Sequence, residues 1–292
     1  MASRPSRVDD SFVDPWGVTI HYHRWSPAST MRGVIQLAHG LGEHALRYET
    51  LAADLTASGY EVWANEHRGH GQTGLDQWQA DATKLGRLGP GGLRAAVAAL
   101  EQFRQLIAQQ RPDIPTVFLG HSWGSLMGQI LLNQGFAGQI DAVVFTGSSY
   151  RMPGWMNAGD LNARHKHLGT TGAEWLSRDT EVHRQFQADP LTFKADTLKL
   201  FGPLDAARLL GRPKPVGVDV PMLLMVGSDD SLGGTRGTRR LERAYRERGG
   251  LTDITTHVYP DARHEVFNET NRDEVVADLI GWLDGLGSEN KK

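Results

Sequence analysis

The sequence predicts an α/β fold: a mostly parallel central sheet flanked by helices, with a mainly helical insertion past its middle. Three observations carry this reading. Short apolar runs of strand length alternate with segments whose apolar residues recur at helical spacing. Several of those runs lead straight into a Gly-rich turn that opens a helix. The rhythm then lapses between about Ser148 and Gly217 before it resumes. Alternation of this kind implies parallel strands joined by crossover helices that cover both faces of the sheet.

In chain order, Gly33-Val34-Ile35-Gln36-Leu37-Ala38 is a strand and His39-Gly40-Leu41-Gly42 its turn. Tyr48, Leu51, Ala52 and Leu55 share one helical face, and Gly59 stops that helix as a C-terminal glycine does. Tyr60 to Ala64 is the next strand, followed by a Gly/His-rich loop from Glu66 to Gly74. Leu93, Val97, Leu100, Arg104 and Ile107 line a helix whose exit is bracketed by Pro112 and Pro115. Thr116-Val117-Phe118-Leu119 then runs into Gly120-His121-Ser122-Trp123-Gly124, with Leu126, Ile130 and Leu131 continuing as helix. Strands follow at Ala142–Phe145, Met222–Val226 and Thr255–Tyr259. Helices surround Leu241 and Tyr245, and carry Val275, Val276, Leu279, Leu283 and Leu286. Residues 148–217 are rich in Arg, His, Asp, Gly and Pro, lack strand runs, and hold helical pieces such as Glu174 to Ala188. Such a stretch is too long for a bare loop. It reads as an insertion dividing a core of residues 1–147 and 218–292.

Composition narrows the function. The chain has 292 residues, 34 acids, 31 bases, a net charge of −3 and no cysteine. Its length sets a prior of about two domains, yet large α/β folds absorb as much around one core. Balanced charge argues against nucleic acid as a partner. Absence of Cys excludes disulfides, thiolate metal sites and cysteine nucleophiles. Met1 to Asp14 has charges and no apolar h-region, so it does not read as a signal peptide. No apolar run approaches the ~20 residues of a membrane span, and a cytoplasmic location is the expectation.

Gly120-x-Ser122-x-Gly124 carries the chemistry. A serine hydroxyl becomes nucleophilic when a sharp strand-to-helix turn projects it towards a base and anion-stabilising amides, and this motif follows a strand and opens a helix. The alternative is a packing turn with Ser122 as helix N-cap. A base and its orienting acid are expected in the order Ser, acid, His. Gly227-Ser228-Asp229-Asp230 follows one strand and Pro260-Asp261-Ala262-Arg263-His264 another, each at a strand end where open α/β sheets place their sites. His264 is the candidate base and Asp230 the preferred acid, with Asp229 in reserve; Pro260-Asp261 reads more simply as a turn. The backbone amides of Leu41 and Trp123 are candidates for an oxyanion hole. The same His39–Gly42 turn is also what strand–helix packing alone would demand.

Gly69-His70-Gly71-Gln72-Thr73-Gly74 satisfies G-x-G-x-x-G literally, but no apolar helix follows from Leu75 to Lys84, so a dinucleotide site is not expected. The paired histidines (His39/His44, His67/His70, His165/His167) lack carboxylates at zincin spacing, and no metal site is expected. The charged run Asp160 to His167 reads as a solvated face.

With these residues in place the chain resembles the monoacylglycerol lipase and lysophospholipase branch of the α/β-hydrolases over nearly its whole length. His39-Gly40-Leu41-Gly42-Glu43-His44 with Arg47-Tyr48 matches that branch's HGxGEHxxRY motif. Arg68-Gly69-His70-Gly71 matches its RGHG loop, and Gly120–Gly124 its GHSxG elbow. Trp175-Leu176-Ser177-Arg178-Asp179 with Asp189-Pro190-Leu191 is similar to a stretch ending its cap. Gly227–Asp230 matches GSxD, which favours Asp230, and His264-Glu265-Val266-Phe267-Asn268-Glu269 matches the catalytic-His segment. The resemblance implies a cofactor-free serine esterase acting through an acyl-enzyme, with Glu43, Arg47 and the RGHG loop bracing the site. Monoacylglycerols, lysophospholipids or short- and medium-chain esters are the implied substrates, with transient membrane-surface contact through the cap.

Two departures stand out: Glu66 replaces an Asp usual before the RGHG loop, and Trp123 is bulkier than the usual Met. The segment from Tyr150 to Glu174 is short and polar; within it Met152, Trp155 and Met156 are candidate acyl-pocket residues or, equally, packing residues. A preference for short or medium acyl chains is therefore expected. Peptidase, thioesterase or C–C hydrolase chemistry on the same fold is the alternative, ahead of a non-catalytic binding protein. Ser122 at the elbow disfavours dehalogenases and epoxide hydrolases, which carry Asp there.

Overall fold

The computed structural model describes residues 6–289; the first five residues of the Met1–Asp14 segment lie outside them. The chain opens with β1 (Ser6–Val13) and β2 (Thr19–Ser26), an antiparallel pair. β3 (Gly33–Ala38), β4 (Tyr60–Asn65), β5 (Thr116–His121), β6 (Ala142–Thr146), β7 (Met222–Gly227) and β8 (Ile254–Tyr259) follow. They form one eight-stranded sheet in the order β1-β2-β4-β3-β5-β6-β7-β8. β2 joins β4 antiparallel, and every neighbouring pair from β4 to β8 is parallel.

The central strands are buried at every position, as strands covered on both faces must be. Successive side chains point to opposite faces, so β5 sends Phe118 to one core and Val117 and Leu119 to the other. The first core packs under α3 (Gly92–Gln110), α4 (Trp123–Leu132) and α7 (Gly234–Ala244) through Leu100, Met127 and Leu241. The second packs under α1 (Glu49–Ala57) and α8 (Arg272–Glu289) through Leu55, Leu279 and Leu283. None of the described helices is long and apolar enough to cross a membrane.

Four features depart from the sequence reading. The β1–β2 hairpin was not anticipated. β1 is exposed along nearly its whole length and full of charges, and β2 hides its alternation of Ile20, Tyr22 and Trp25 behind buried His23. The loop past Gly71 forms a seven-residue helix, α2 (Gly71–Gln77), too short for an apolar stripe to announce it. Between β6 and β7 only α5 (Thr180–Ala188), α6 (Thr197–Arg208, kinked at Gly202-Pro203) and a single turn at Lys166–Leu168 are helical. The piece expected from Glu174 starts instead at Thr180, capped by Asp179. Glu174 is committed elsewhere: its carboxylate accepts hydrogen bonds from Thr171 N, Thr171 Oγ1 and Asn162 Nδ2, which holds a turn that competes with helix. Finally, the run Asp160–His167 is not wholly solvated, because His165 turns inward and is buried.

Candidate active site

β5 delivers its last residue, His121, directly to Ser122, which sits at φ 51°, ψ −119° as α4 begins. A serine seldom adopts positive φ, and the strain lifts its side chain clear of the sheet. The neighbours must be glycine. A Cβ on Gly124 would overlap the Ala38 and His39 carbonyl oxygens, and one on Gly120 would fall 2.8 Å from the Ser125 backbone. Ser122 makes no side-chain capping bond to α4, so the N-cap alternative does not describe it. Its Oγ lies 2.8 Å from His264 Nε2 instead.

His264 follows β8 and Asp230 follows β7. His264 Nδ1 is 2.9 Å from Asp230 Oδ1, which also accepts a 2.8 Å bond from Leu232 N. The strand end and the histidine loop approach closely because Gly227 has no Cβ; one there would strike the carbonyl oxygens of Ala262 and Arg263. Asp229 is turned away, bonded to Arg164 at 2.6 Å and to His165 Nε2 at 2.8 Å. Asp261 occupies a left-handed turn position at φ 58°. Among the three aspartates weighed from sequence, Asp230 is the one in contact with His264.

The electrostatics follow from burial. Desolvation disfavours a charged His264, but the adjacent Asp230 carboxylate, with the charges of Glu265 and Glu43, outweighs it and raises the imidazole pKa. Burial raises the Asp230 pKa in turn, yet His264 charge and hydrogen bonding leave it below the usual carboxylate value. His121, packed 4.8 Å from His264 ring to ring, is pushed down to about 3 by burial and then by His264 itself. One imidazole in this pair is thus available to take a proton and the other is not. Trp175, from the segment between β6 and β7, lies across His264 at 4.7 Å between ring centroids and shields it from solvent.

Leu41 lies in the turn after β3. Its amide donates no hydrogen bond within the described residues, and the Trp123 amide is the first of α4, where helix N–H groups lack intrahelical partners. Neither amide is thus engaged by the described residues. The turn is pinned on either side: Gly40 N donates to Glu43 Oε1 at 2.6 Å and Gly42 N to His70 Nε2 at 3.3 Å.

Residues 29–271 match the family described as serine aminopeptidase, S33 (Hydrolase_4). The chain is 33% identical to the monoacylglycerol lipase of Mycolicibacterium smegmatis, the alignment covering 95% of this chain and 97% of that one. The chain belongs to the monoacylglycerol lipase branch of the α/β-hydrolases. The mouse monoglyceride lipase is 28% identical over 89% of this chain and 84% of its own. The fold is shared with a Bacillus coagulans carboxyl esterase (TM-score 0.78, 23% identity, 96% of this chain and 99% of that one). It is shared also with a Saccharomyces cerevisiae monoglyceride lipase variant (TM-score 0.74, 20% identity, 98% and 96%).

The branch motifs occupy bracing positions. Glu43 accepts from Gly40 N, Tyr48 Oη at 2.8 Å and Arg47 at 2.8 Å, while Arg47 forks onto Glu265 at 2.6 and 2.8 Å. Burial and then the Arg47 charge act on Glu265 in opposite senses, and the cation prevails, pushing it down to about 2. A single buried cation thereby ties the His39–Gly42 turn to the residue after His264. Arg68 is buried against Asp14, and Glu66, the departure from the branch's Asp, accepts from Ala45 N and faces His23.

Trp155 and Met156 line a cavity of about 420 Å³ with Leu161, Arg164, Asp230 and Leu232; Met152 is not on its wall. All three pack against the first core, as do Leu41 and Phe201. Phe201, on α6, lies 5.2 Å from the Trp123 ring. It and Trp175 escaped the sequence reading as site residues, since nothing in an irregular segment forecasts which aromatic folds back over the core.

Proposed function

We propose that the protein is a serine hydrolase of carboxylic esters, acting on monoacylglycerol-type substrates through Ser122, His264 and Asp230. The observation that carries this reading is the unbroken row from Ser122 Oγ to His264 Nε2 (2.8 Å) and from His264 Nδ1 to Asp230 Oδ1 (2.9 Å), buried beneath Trp175. Two relatives aligned along most of the chain are named for monoacylglycerol and monoglyceride hydrolysis, which supports an ester over the other bonds that this fold cleaves.

Ser122 attacks the ester carbonyl as His264 takes its proton, and Asp230 fixes the imidazole tautomer and stabilises the imidazolium. The Leu41 and Trp123 amides receive the oxyanion. His264 then gives the proton to the leaving alcohol, and water activated by the same imidazole cleaves the acyl-enzyme. Residues 148–217 form the cap over the core of residues 1–147 and 218–292, and Met152, Trp155 and Met156 belong to the acyl side. The short, polar Tyr150–Glu174 stretch supports a preference for short and medium acyl chains.

Hydrolysis of p-nitrophenyl esters from C2 to C18 and of 1-monoacylglycerols, with Ser122→Ala as control, tests the reading. Turnover lost in the variant, with its optimum at C4–C8, is expected. Faster turnover of C16–C18 monoacylglycerol would overturn the chain-length preference. No ester turnover by folded protein would overturn the esterase assignment.

A further inference from the structure

We infer that Asp189, on the insertion between β6 and β7, is a positioning residue for the oxyanion turn, holding the Leu41 amide in place through His44 and Phe193. The inference rests on the reading of the Leu41 and Trp123 amides as the oxyanion donors. Asp189 ends α5, and its side chain does two things. Oδ1 accepts from Leu191 N at 2.9 Å, forming a tight turn that Thr192 Oγ1 closes onto the Asp189 carbonyl at 3.0 Å. Oδ2 reaches across to the core and accepts from His44 Nε2 at 2.7 Å. His44 is buried, and among the described residues its Nδ1 has no partner, so this is the only hydrogen bond its ring makes with them.

The turn that Asp189 shapes delivers Phe193 onto the same loop. Phe193 N donates to Gly42 O at 3.0 Å, and its ring packs 5.1 Å from that of His70, whose Nε2 accepts from Gly42 N. Gly42 stands at φ 85°, and a Cβ on it would strike the Phe193 carbonyl. The peptide units after Leu41 are therefore clamped between the RGHG loop on one side and the insertion on the other. Glu43 and Glu66 secure Gly40 and Ala45 from within the core; the His44 side chain and the Gly42 carbonyl depend on the insertion. A donor aimed at an oxyanion loses most of its worth when it swings out of line. Asp189 thus makes the accuracy of the oxyanion hole depend on how the insertion is seated.

The test separates aim from binding. Asp189→Ala, Asp189→Glu and His44→Gln are compared with wild type for kcat and KM on p-nitrophenyl butyrate. The affinity of each for an alkyl trifluoromethyl ketone, which forms a tetrahedral adduct with the nucleophile, is measured in parallel. Asp205→Asn is the control: Asp205 Oδ2 also joins the insertion to the core, accepting from Leu93 N at 3.0 Å, but its partner is on α3 and not in the turn. Asp189→Ala is expected to lower kcat about 10–100-fold and weaken the ketone by a similar factor, with KM within about 2-fold. Asp189→Glu should recover part of the loss, His44→Gln should reproduce it, and Asp205→Asn should leave kcat unchanged. If Asp189→Ala does not fold, His44→Gln carries the same expectation from the core side. Unchanged kcat in both, or a fall in kcat without weaker ketone binding, would overturn the inference while wild-type ester turnover leaves the site reading standing. Absence of ester turnover in wild type would overturn both.

Discussion

At the scale of single residues, three side chains from three strand ends meet, and each has a distinct expected loss. Ser122→Ala and His264→Ala should each lower kcat by about 10⁴–10⁶-fold, with little further loss when combined, because such groups act as a unit. Asp230→Asn should cost about 10⁴-fold by presenting the wrong tautomer to His264. Asp229→Asn should be mild, since Asp229 contacts Arg164 and His165 rather than His264. Comparable losses in the two aspartate variants would overturn the choice of acid. The pH profile reads the same contact. His264 must be neutral to act as base, so activity falls as pH drops through its pKa, which Asp230 holds above the ordinary histidine value against the effect of burial. The acid limb of kcat/KM should therefore lie above pH 6.5 in wild type and move down in Asp230→Asn, where the adjacent carboxylate is gone and only the charges of Glu265 and Glu43 still oppose burial. A limb that stays in place would mean that another group governs it.

At the scale of elements, the site depends on glycines that let strand ends approach other backbone. Gly227→Ala places a methyl group against the Ala262 and Arg263 carbonyls. It should cost about 1–3 kcal/mol in chemical denaturation, as overpacking does, and lower kcat as well because His264 follows directly. A stable variant with full activity would show that the loop yields freely. This dependence also explains what was legible in the sequence. The parallel strands announce themselves because burial on both faces demands unbroken apolar runs, and the Ser122 elbow because strained φ and close approach demand Gly120 and Gly124. Asp230 was separable from Asp229 by the GSxD pattern, though spacing along the chain left both open. The β1–β2 hairpin was not legible, for β1 is exposed except at Phe12, which packs on Tyr22 and Phe103, and its Asp9 and Asp10 bond to His23 and Tyr22. Nor was the course of the chain within the insertion, where Glu174, Asn162 and Asp189 build turns by bonding backbone amides. Such bonds leave no periodicity in the sequence.

At the scale of the whole molecule, the buried histidines set how the fold responds to acid. His39, His67, His70 and His121 are buried, and each is held neutral first of all by desolvation. His67 is pushed down to about 3 and His70 to about 4. Their bonds agree: His39 Nε2 accepts from His67 N and His70 Nε2 from Gly42 N, so a proton on either nitrogen breaks a bond to backbone. Unfolding releases these rings to bind protons near the ordinary value of ~6.5. Below that pH the unfolded chain holds more protons than the native one, and stability falls as pH falls. His23 and His264 have raised values and the opposite sign. Their contribution is complete below ~6.5, where they are protonated in both states, so they do not offset the loss. Stability should therefore decline from about pH 6.5 towards pH 4 with a slope of up to about 1.4 kcal/mol per pH unit for each of the four. Urea unfolding between pH 7 and 4.5 measures this directly. Replacing His67 by Gln should flatten the slope by about one proton's worth even if it lowers stability at pH 7. An unchanged slope would place the proton uptake elsewhere, and a flat profile above pH 5 would mean that the unfolded chain keeps these rings from titrating.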